Sequence, residues 1–365
     1  MLPRDVISTG PLVLRPPAAS DREAIAECCD DAVTARFLPV LPVPYTLEDA
    51  QAYLKNAEAK WDDGGAEFAI VRDGRYAGSI GVRPPDRWGT AELGYVVAPW
   101  ARGQGVATTA ARAVTDWAFD RGVQRMELQA EVENVGSLLA AFRAGFRDEG
   151  RRRDAKAIRD GTRTDLITFG RTPRDLVEPF EQFLPFFAGG GLSDGVVTLE
   201  PIRPQDAGEF HRMLEDPTVS AYAVGPAQSL EEHQRRMRYT DYWWLSGQRI
   251  ELAIRDAGSG RFAGHLQLAQ VMPALSQGMV GYSLLEAYRG RGFMTRAVSL
   301  LVDWVFASTP LHRVVAGTEK GNRASQRVLK RAGFAKEGVH RELFPKEDGT
   351  WSDEIGWVRV RPKNT

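Results

Sequence analysis

The chain is written twice. Leu14, Pro16 and Asp21 return as Leu199, Pro201 and Asp206, an offset of 185. Glu67 of EFAI returns as Glu251 of ELAI, and Gly78 of RYAG as Gly264 of RFAG. Gly94-Tyr95 returns as Gly281-Tyr282, Arg102-Gly103-x-Gly105 as Arg289-Gly290-x-Gly292, and Asn134-x-x-Ser137 as Asn322-x-x-Ser325. Gly145-Phe146 matches Gly333-Phe334, and Asp160-Gly161 with Asp165 matches Asp348-Gly349 with Asp353. Across these pairs the offset stays between 184 and 188. A period this long describes two copies of one domain fold, not a solenoid of short repeats.

The 365 residues therefore divide into a first domain (1–172), a linker (173–194) and a second domain (195–365), each large enough to bury a core. The linker ends in Gly189-Gly190-Gly191, a flexible signal. Its Phe180, Phe183, Phe186 and Phe187 are too apolar for a solvated tether and are expected to pack across the two domains.

Both copies follow one plan. A short strand (Leu12–Leu14, Val197–Leu199) leads to a helix near Asp21 or Asp206. A second helix opens at Thr46-x-x-Asp49 or Ser229-x-x-Glu232, a hydroxyl with a carboxylate three residues on that satisfies exposed helix N–H groups. Strands follow, and one of them (Leu93–Val97, Val280–Leu285) runs into a Gly-rich turn. After it Val106, Ala110, Val114 and Trp117 keep helical spacing, as do Met294, Val298, Leu301 and Val305. Another strand, a short helix and a closing strand pair complete each copy. The fold class is α/β (α+β): a mixed central sheet flanked by helices, built twice.

The chemistry is expected at the strand–turn–helix. Backbone N–H groups at such a helix start point outward, and the helix dipole favours an anion there. Glycines let the backbone approach phosphates, and an Arg adds a charge-assisted bond. With the flanking Gly-Tyr, Asn-x-x-Ser and Ala-Gly-Phe wording in both copies, the chain resembles the GNAT superfamily of acyl-CoA-dependent N-acyltransferases, particularly its RimJ/RimL-type branch. The family's R/Q-x-x-G-x-G/A loop is matched by Arg102, Gly105 and Ala107. In the second copy Arg289 and Gly292 match, but Met294 stands at the last small position.

The resemblance implies acetyl-CoA or another acyl-CoA as cosubstrate. Its pyrophosphate would lie on Arg102, Gly103, Gln104, Gly105, Val106 and Ala107, and on Arg289, Gly290, Arg291, Gly292, Phe293 and Met294. Its pantetheine arm would run along the backbone at Val96, Val97 and Leu284, where a strand splays from its neighbour and a backbone N–H polarises the thioester carbonyl. Asn134 and Asn322 would hold it, with Ser137 and Ser325 near the sulfur. The family's Tyr acid is absent, because its helix positions carry Ala141 and Leu329. Ser137 and Ser325 are then the candidate donors, with N-capping of the helix as their other reading.

An attacking amine must be neutral. A Lys-type amine is only about 0.1% neutral at pH 7.5, an α-amine roughly one third. Glu92, just before Gly94-Tyr95, is the candidate base; its counterpart is Met279. Glu67 and Glu251 are second candidates. The first domain thus reads as better equipped for transfer. The connection Arg36–Tyr45, with its prolines and apolar residues, and its counterpart Ala221–Gln228 are expected to lie over the acceptor side and to favour an apolar or peptide-like amine, or a longer acyl chain.

Composition narrows the partners. Lys+Arg 47 against Asp+Glu 48 gives a net charge of −1, which supplies no field for nucleic acid or an anionic membrane. Cys28 and Cys29 are adjacent, a poor disulfide geometry. No apolar run approaches the roughly 20 residues that cross a bilayer, so the expected location is cytoplasmic and the expected assembly a monomer or homodimer. None of His211, His233, His265, His312 or His340 shows metal-ligand spacing, and no metal is expected; His265 alone should border the cleft. Two rival readings are a tRNA-dependent aminoacyl transferase, which would not need two intact loops, and an acyl-CoA-binding module in which one copy is non-catalytic. An antibiotic-modifying acetyltransferase is a third.

Overall fold

The computed structural model describes residues 2–222, 225–346 and 349–363, and the chain separates into two compact units at Glu181/Gln182. The first unit runs β1 (Ile7–Thr9), β2 (Leu12–Arg15), α1 (Arg22–Cys29), α2 (Ala32–Phe37), α3 (Leu47–Asp62), β3 (Ala66–Arg72), β4 (Arg75–Val82), β5 (Thr90–Val97), α4 (Val106–Phe119), β6 (Arg125–Glu131), α5 (Val135–Arg143), β7 (Arg147–Ala157) and β8 (Arg163–Arg171). The second runs β9 (Leu192–Ser193), β10 (Val197–Pro201), α6 (Ala207–Glu215), α7 (Pro217–Ser220), α8 (Leu230–Met237), α9 (Thr240–Leu245), β11 (Ile250–Asp256), β12 (Phe262–Met272), β13 (Gln277–Leu284), α10 (Phe293–Ser308), β14 (Arg313–Glu319), α11 (Arg323–Arg331), β15 (Ala335–Pro345) and β16 (Trp351–Val360).

Each unit is one eight-stranded sheet, ordered β1-β2-β3-β4-β5-β6-β8-β7 in the first and β15-β16-β14-β13-β12-β11-β10-β9 in the second. Neighbouring strands are antiparallel except β5–β6 and β13–β14, which are parallel. A parallel neighbour needs a crossover, and α4 or α10 supplies it. The capping boxes read from Thr46/Asp49 and Ser229/Glu232 are formed. The helix after Ser229 is shorter than α3: it stops at Met237, whose carbonyl accepts from Thr240 Oγ1 at 2.9 Å, and α9 resumes it.

The two faces of each sheet are covered by different helices. In the first unit Ala69 and Val96 pack with Ile25 of α1 and Leu54 of α3, whereas Phe68 meets Trp117 of α4 edge-on at 5.2 Å. In the second, Ala253 packs with Phe210 of α6 and Met237 of α8, while Leu252, Ile254 and Val280 join the α10 residues Val298 and Leu301. Alternation along a strand then assigns every other residue to its face.

The aromatic segment between the copies is shared out. Phe180 stacks on Phe142 of α5 at 5.0 Å in the first unit. Phe187 meets Trp244 of α9 at 4.7 Å in the second. Phe180 and Phe187 thus each pack inside one unit, whereas Phe186 is exposed.

Candidate active site

The parallel strands part. β5 pairs with β6 only from Thr90↔Arg125 to Leu93↔Leu128, and Gly94–Val97 continue along β4 alone. In the second unit the pairing ends at Met279↔Val315, and β13 continues along β12 to Gly264↔Leu284. Each unit thus opens a wedge between two strands at the height of its Gly-Tyr. Val96, Val97 and Leu284 lie on the lip of that wedge, where a splayed strand offers unpaired backbone groups.

The Gly-rich turn closes the end of the wedge. Gly105 (φ +77°) and Gly292 (φ +82°) adopt left-handed backbone at the N-caps of α4 and α10, and Gly103 and Gly290 are both at φ +73°. A side chain there would be strained, and the space a Cβ would take at these glycines is open. Among the described residues no protein acceptor takes the backbone N–H groups of residues 103–108 or 290–295. Val106 and Phe293 are buried and pin the first helical turn. Ala107 is half-buried at the small position. Met294 points into the core at 6% exposure, so its bulk leaves the outward N–H groups clear. The residues fit a pyrophosphate held by backbone donors at a helix start.

The arginines also have partners within the protein. Arg102 donates from Nε to Val97 O at 3.2 Å and from Nη2 to Asp31 Oδ2 at 2.5 Å and Thr34 Oγ1 at 2.9 Å. Arg289 repeats this on Leu284 O at 3.1 Å, Asp216 Oδ2 at 2.5 Å and Thr218 Oγ1 at 2.6 Å. Burial would raise the Asp31 carboxyl, but Arg102 and the Thr34 N–H hold it below the usual range. Asp31 is also the N-cap of α2, and Asp216 that of α7. Each guanidinium therefore ties the turn to the strand end and to a short helix. Gln104 caps Trp100 O at 2.6 Å, and Arg291 lies over the Tyr288 and Phe293 rings at 5.5 and 5.0 Å.

Across the wedge the short helix presents a hydroxyl. Asn134 is the N-cap of α5, its Oδ1 accepting from Ser137 N at 3.1 Å, and Asn322 does the same for Ser325 N at 3.0 Å. The cap is the Asn, which corrects the N-capping reading of the serines. Ser137 Oγ instead lies 2.9 Å from Tyr95 Oη, and Ser325 Oγ lies 2.9 Å from Tyr282 Oη. These tyrosines come from the splayed strands, not from the helix. Burial pushes both phenols up to about 12, against a smaller lowering by the serines. Each stays protonated at neutral pH and able to donate.

The carboxylates lie on the other face. Glu92 faces the α1/α3 side at the last but one paired position, half-exposed and 3.6 Å from Arg83. Met279 takes its place in the second unit. Glu67 is buried against Tyr53 Oη at 2.6 Å and Lys60. Glu251 meets Arg236 at 2.6 Å, Arg249 at 3.0 Å and His265 at 2.7 Å. Burial would raise Glu251, but His265 and Arg236 hold it down at about 2. Such a group is a weak proton acceptor. His265 is 6% exposed and packs on Phe210 at 5.1 Å, a buried partner rather than a cleft residue.

The connection between the first helices is half packed. Tyr45 is buried and Leu41 packs on α1, whereas Val40 is 86% and Val43 60% exposed. Lys156 Nζ donates to Phe37 O at 2.5 Å and Arg159 to Leu41 O at 2.7 Å, which anchors the segment to the β7–β8 hairpin. The matching segment 221–228 contains residues 223 and 224, which lie outside the described residues, as does Asp348. Both cysteines are free, and no helix among the described residues is long and apolar enough to cross a membrane.

The acetyltransferase (GNAT) domain family model matches residues 11–147 and again 197–335. "Probable N-acetyltransferase YjcK" of Bacillus subtilis (strain 168) is 37% identical over 133 residues, 32% of this chain and 73% of that protein. "Uncharacterized N-acetyltransferase YoaA" of the same organism is 32% identical over 166 residues, 45% of this chain and 93% of its own length. A solved ribosomal-protein-S5-alanine acetyltransferase from Vibrio fischeri aligns with TM-score 0.43 and 23% identity over 47% of this chain and 97% of its own.

Proposed function

From the premise that this chain belongs to the GNAT acetyltransferase family in both halves, and so moves an acyl group from acyl-CoA to an amine, we propose that each domain holds its own acyl-CoA. The observation that carries this reading is the pair of outward, unpartnered N–H arrays at Gly103–Thr108 and Gly290–Thr295, each beside a wedge. Acyl-CoA bound there supplies a thioester whose carbonyl is the electrophile. Backbone at Val96, Val97 and Leu284 orients it, and the Asn134 and Asn322 carboxamides flank it.

In the first domain Glu92 takes a proton from the incoming amine, directly or through water. Tyr95 and Ser137 stand on the α4/α5 face, opposite Glu92, and hand a proton to the sulfur as it leaves. Attack from one face and departure toward the other keeps the two proton transfers apart. The acceptor is an α-amine of a peptide or small molecule. Its ordinary pKa near 7.8 leaves a reacting fraction at neutral pH without a strong base, and the exposed Val40 and Val43 offer apolar contact.

The test is release of free CoA thiol from acetyl-CoA with short peptides, free ε-amines and aminoglycosides as acceptors. Peptide α-amines are expected to turn over fastest. Turnover confined to polycationic aminoglycosides would contradict the acceptor assignment.

A further inference from the structure

The second domain lacks Glu92's counterpart, yet a different carboxylate sits at its wedge. Glu354 of β16 is 6% exposed, and the place a Cβ would occupy at Gly317 of β14 is filled by Glu354 Oε1. Gly317 lies two residues past Val315, where β14 stops pairing with β13 while still paired with β16, so it stands at the opening. By register Ala253, His265, Met279, Val315 and Gly317 share the face that α6 and α8 cover, the same face that Glu92 takes in the first domain. The other oxygen, Oε2, lies 2.6 Å from Nδ1 of His340 on β15. The His340 side chain is 63% exposed. Among the described residues the hydrogen bond of this carboxylate to a side chain is made by Oε2, which leaves Oε1 toward the opening.

Three differences between the copies fit together only here. Gln129, Arg152 and Leu166 of the first domain correspond to Gly317, His340 and Glu354. In the first domain Arg152 donates to Gln129 Oε1 at 3.0 Å, across the position Glu354 fills in the second. The neighbouring ion pair is kept in both: Lys156–Glu131 at 2.7 Å and Lys346–Glu319 at 2.5 Å. Glu319, which faces Glu354 across the β14–β16 pair, is thus neutralised by its own lysine. On β12, Gln267 replaces Gly81; its half-buried carboxamide reaches over Gly281 and has no hydrogen-bond partner among the described residues. The second wedge is rebuilt.

We propose that Glu354 and His340 form the proton-accepting pair of a second, separately equipped transfer site, with the Gln267 carboxamide facing its acceptor. The inference rests on the reading that the second domain holds acyl-CoA. Glu354 Oε1 takes a proton from the neutral attacking amine as the new C–N bond forms and later releases it to water, while His340 at Oε2 holds the carboxylate in place. The C–S bond breaks toward the opposite face, where Tyr282 and Ser325 give the sulfur a proton that water restores. The balance is one acyl-CoA and one amine consumed, one amide and one CoA thiol formed. Glu354 is the catalytic residue, and His340 and Gly317 are positioning residues.

The test uses the full chain with its first site silenced by Gly105→Glu. That parent is expected to bind one acyl-CoA by calorimetry and to release CoA thiol with an amine panel. Adding Glu354→Gln, nearly the same shape, should lower kcat about 100-fold while leaving acyl-CoA affinity unchanged. His340→Gln should lower kcat about tenfold with KM for acyl-CoA unmoved, a split that lost folding would not produce. Gly317→Ala should lower kcat by pushing the Glu354 carboxylate out of its place while leaving that side chain's chemistry unchanged. Equal turnover in parent and Glu354→Gln, or binding in the parent with no turnover, overturns this proposal alone. A parent that binds no acyl-CoA overturns the two-site reading as well.

Discussion

A tyrosine on a strand and a serine on a helix lie 2.9 Å apart in each domain, and in the proposed mechanism they protonate the leaving thiolate. Their hydroxyls act as one unit, since either one donates only with the other oriented. In a chain whose second site is silenced by Gly292→Glu, Tyr95→Phe and Ser137→Ala should each lower kcat about tenfold. The double variant should fall by far less than the product, because residues acting as a unit are not additive. Multiplicative losses would show two independent roles. Glu92→Gln in the same background should lower kcat at least about 100-fold with acyl-CoA affinity unchanged; full retention of turnover would remove Glu92 from the mechanism.

A second residue-scale consequence concerns acid stability. Glu251 sits at about 2 in the folded chain against an ordinary 4.5. A carboxyl depressed on folding stabilises above its unfolded value, and this contribution vanishes as pH falls through the interval down to about 2. The shift corresponds to on the order of 3 kcal/mol. Denaturant titrations of wild type should weaken between about pH 4.5 and 2. Glu251→Gln should flatten that limb and be less stable at pH 7, with the Arg236 and Arg249 guanidinium groups left without their carboxylate. An unchanged acid limb in the variant would assign the effect elsewhere.

At the scale of elements, the turn and the short helix behind it form one device. Arg102 joins α2 to the end of β5, as Arg289 joins α7 to the end of β13. Arg102→Ala should therefore lower the ligand-free stability of the first domain by about 2 kcal/mol and weaken acyl-CoA binding as a result. Weaker binding with an unchanged melting temperature would mean that the guanidinium serves the ligand directly.

The element plan was legible because it is local. Caps, the helical spacing after each turn and the Gly pairs recur at a nearly constant offset, and all are short-range signals. What escaped is long-range. Arg102 meets Asp31 from 71 positions away, and Tyr95 meets Ser137 from 42. A sequence that shows no Tyr at Ala141 or Leu329 conceals that the strand supplies one. Glu354 was invisible for a similar reason. Its meaning depends on the register that sets it over Gly317, and Leu166 gives no hint of it in the first copy.

As a whole molecule the chain is two GNAT domains that share one Gly-rich turn, the proposed nucleotide grip, and differ on the proposed acceptor face. The grip is nearly identical: the same left-handed glycines, the same arginine anchor, the same Asn cap and Tyr–Ser pair. The acceptor faces differ at Glu92/Met279, Gly81/Gln267, Gln129/Gly317 and Leu166/Glu354. Duplicated domains that keep one ligand and vary the other are suited to two amines, or to two positions on one. The claim beneath all of this is that both grips work. Calorimetric titration of the full chain with acetyl-CoA measures it directly. Two molecules per chain are expected, with one lost in Gly105→Glu and the other in Gly292→Glu. A stoichiometry of one that Gly292→Glu leaves unchanged would contradict the account.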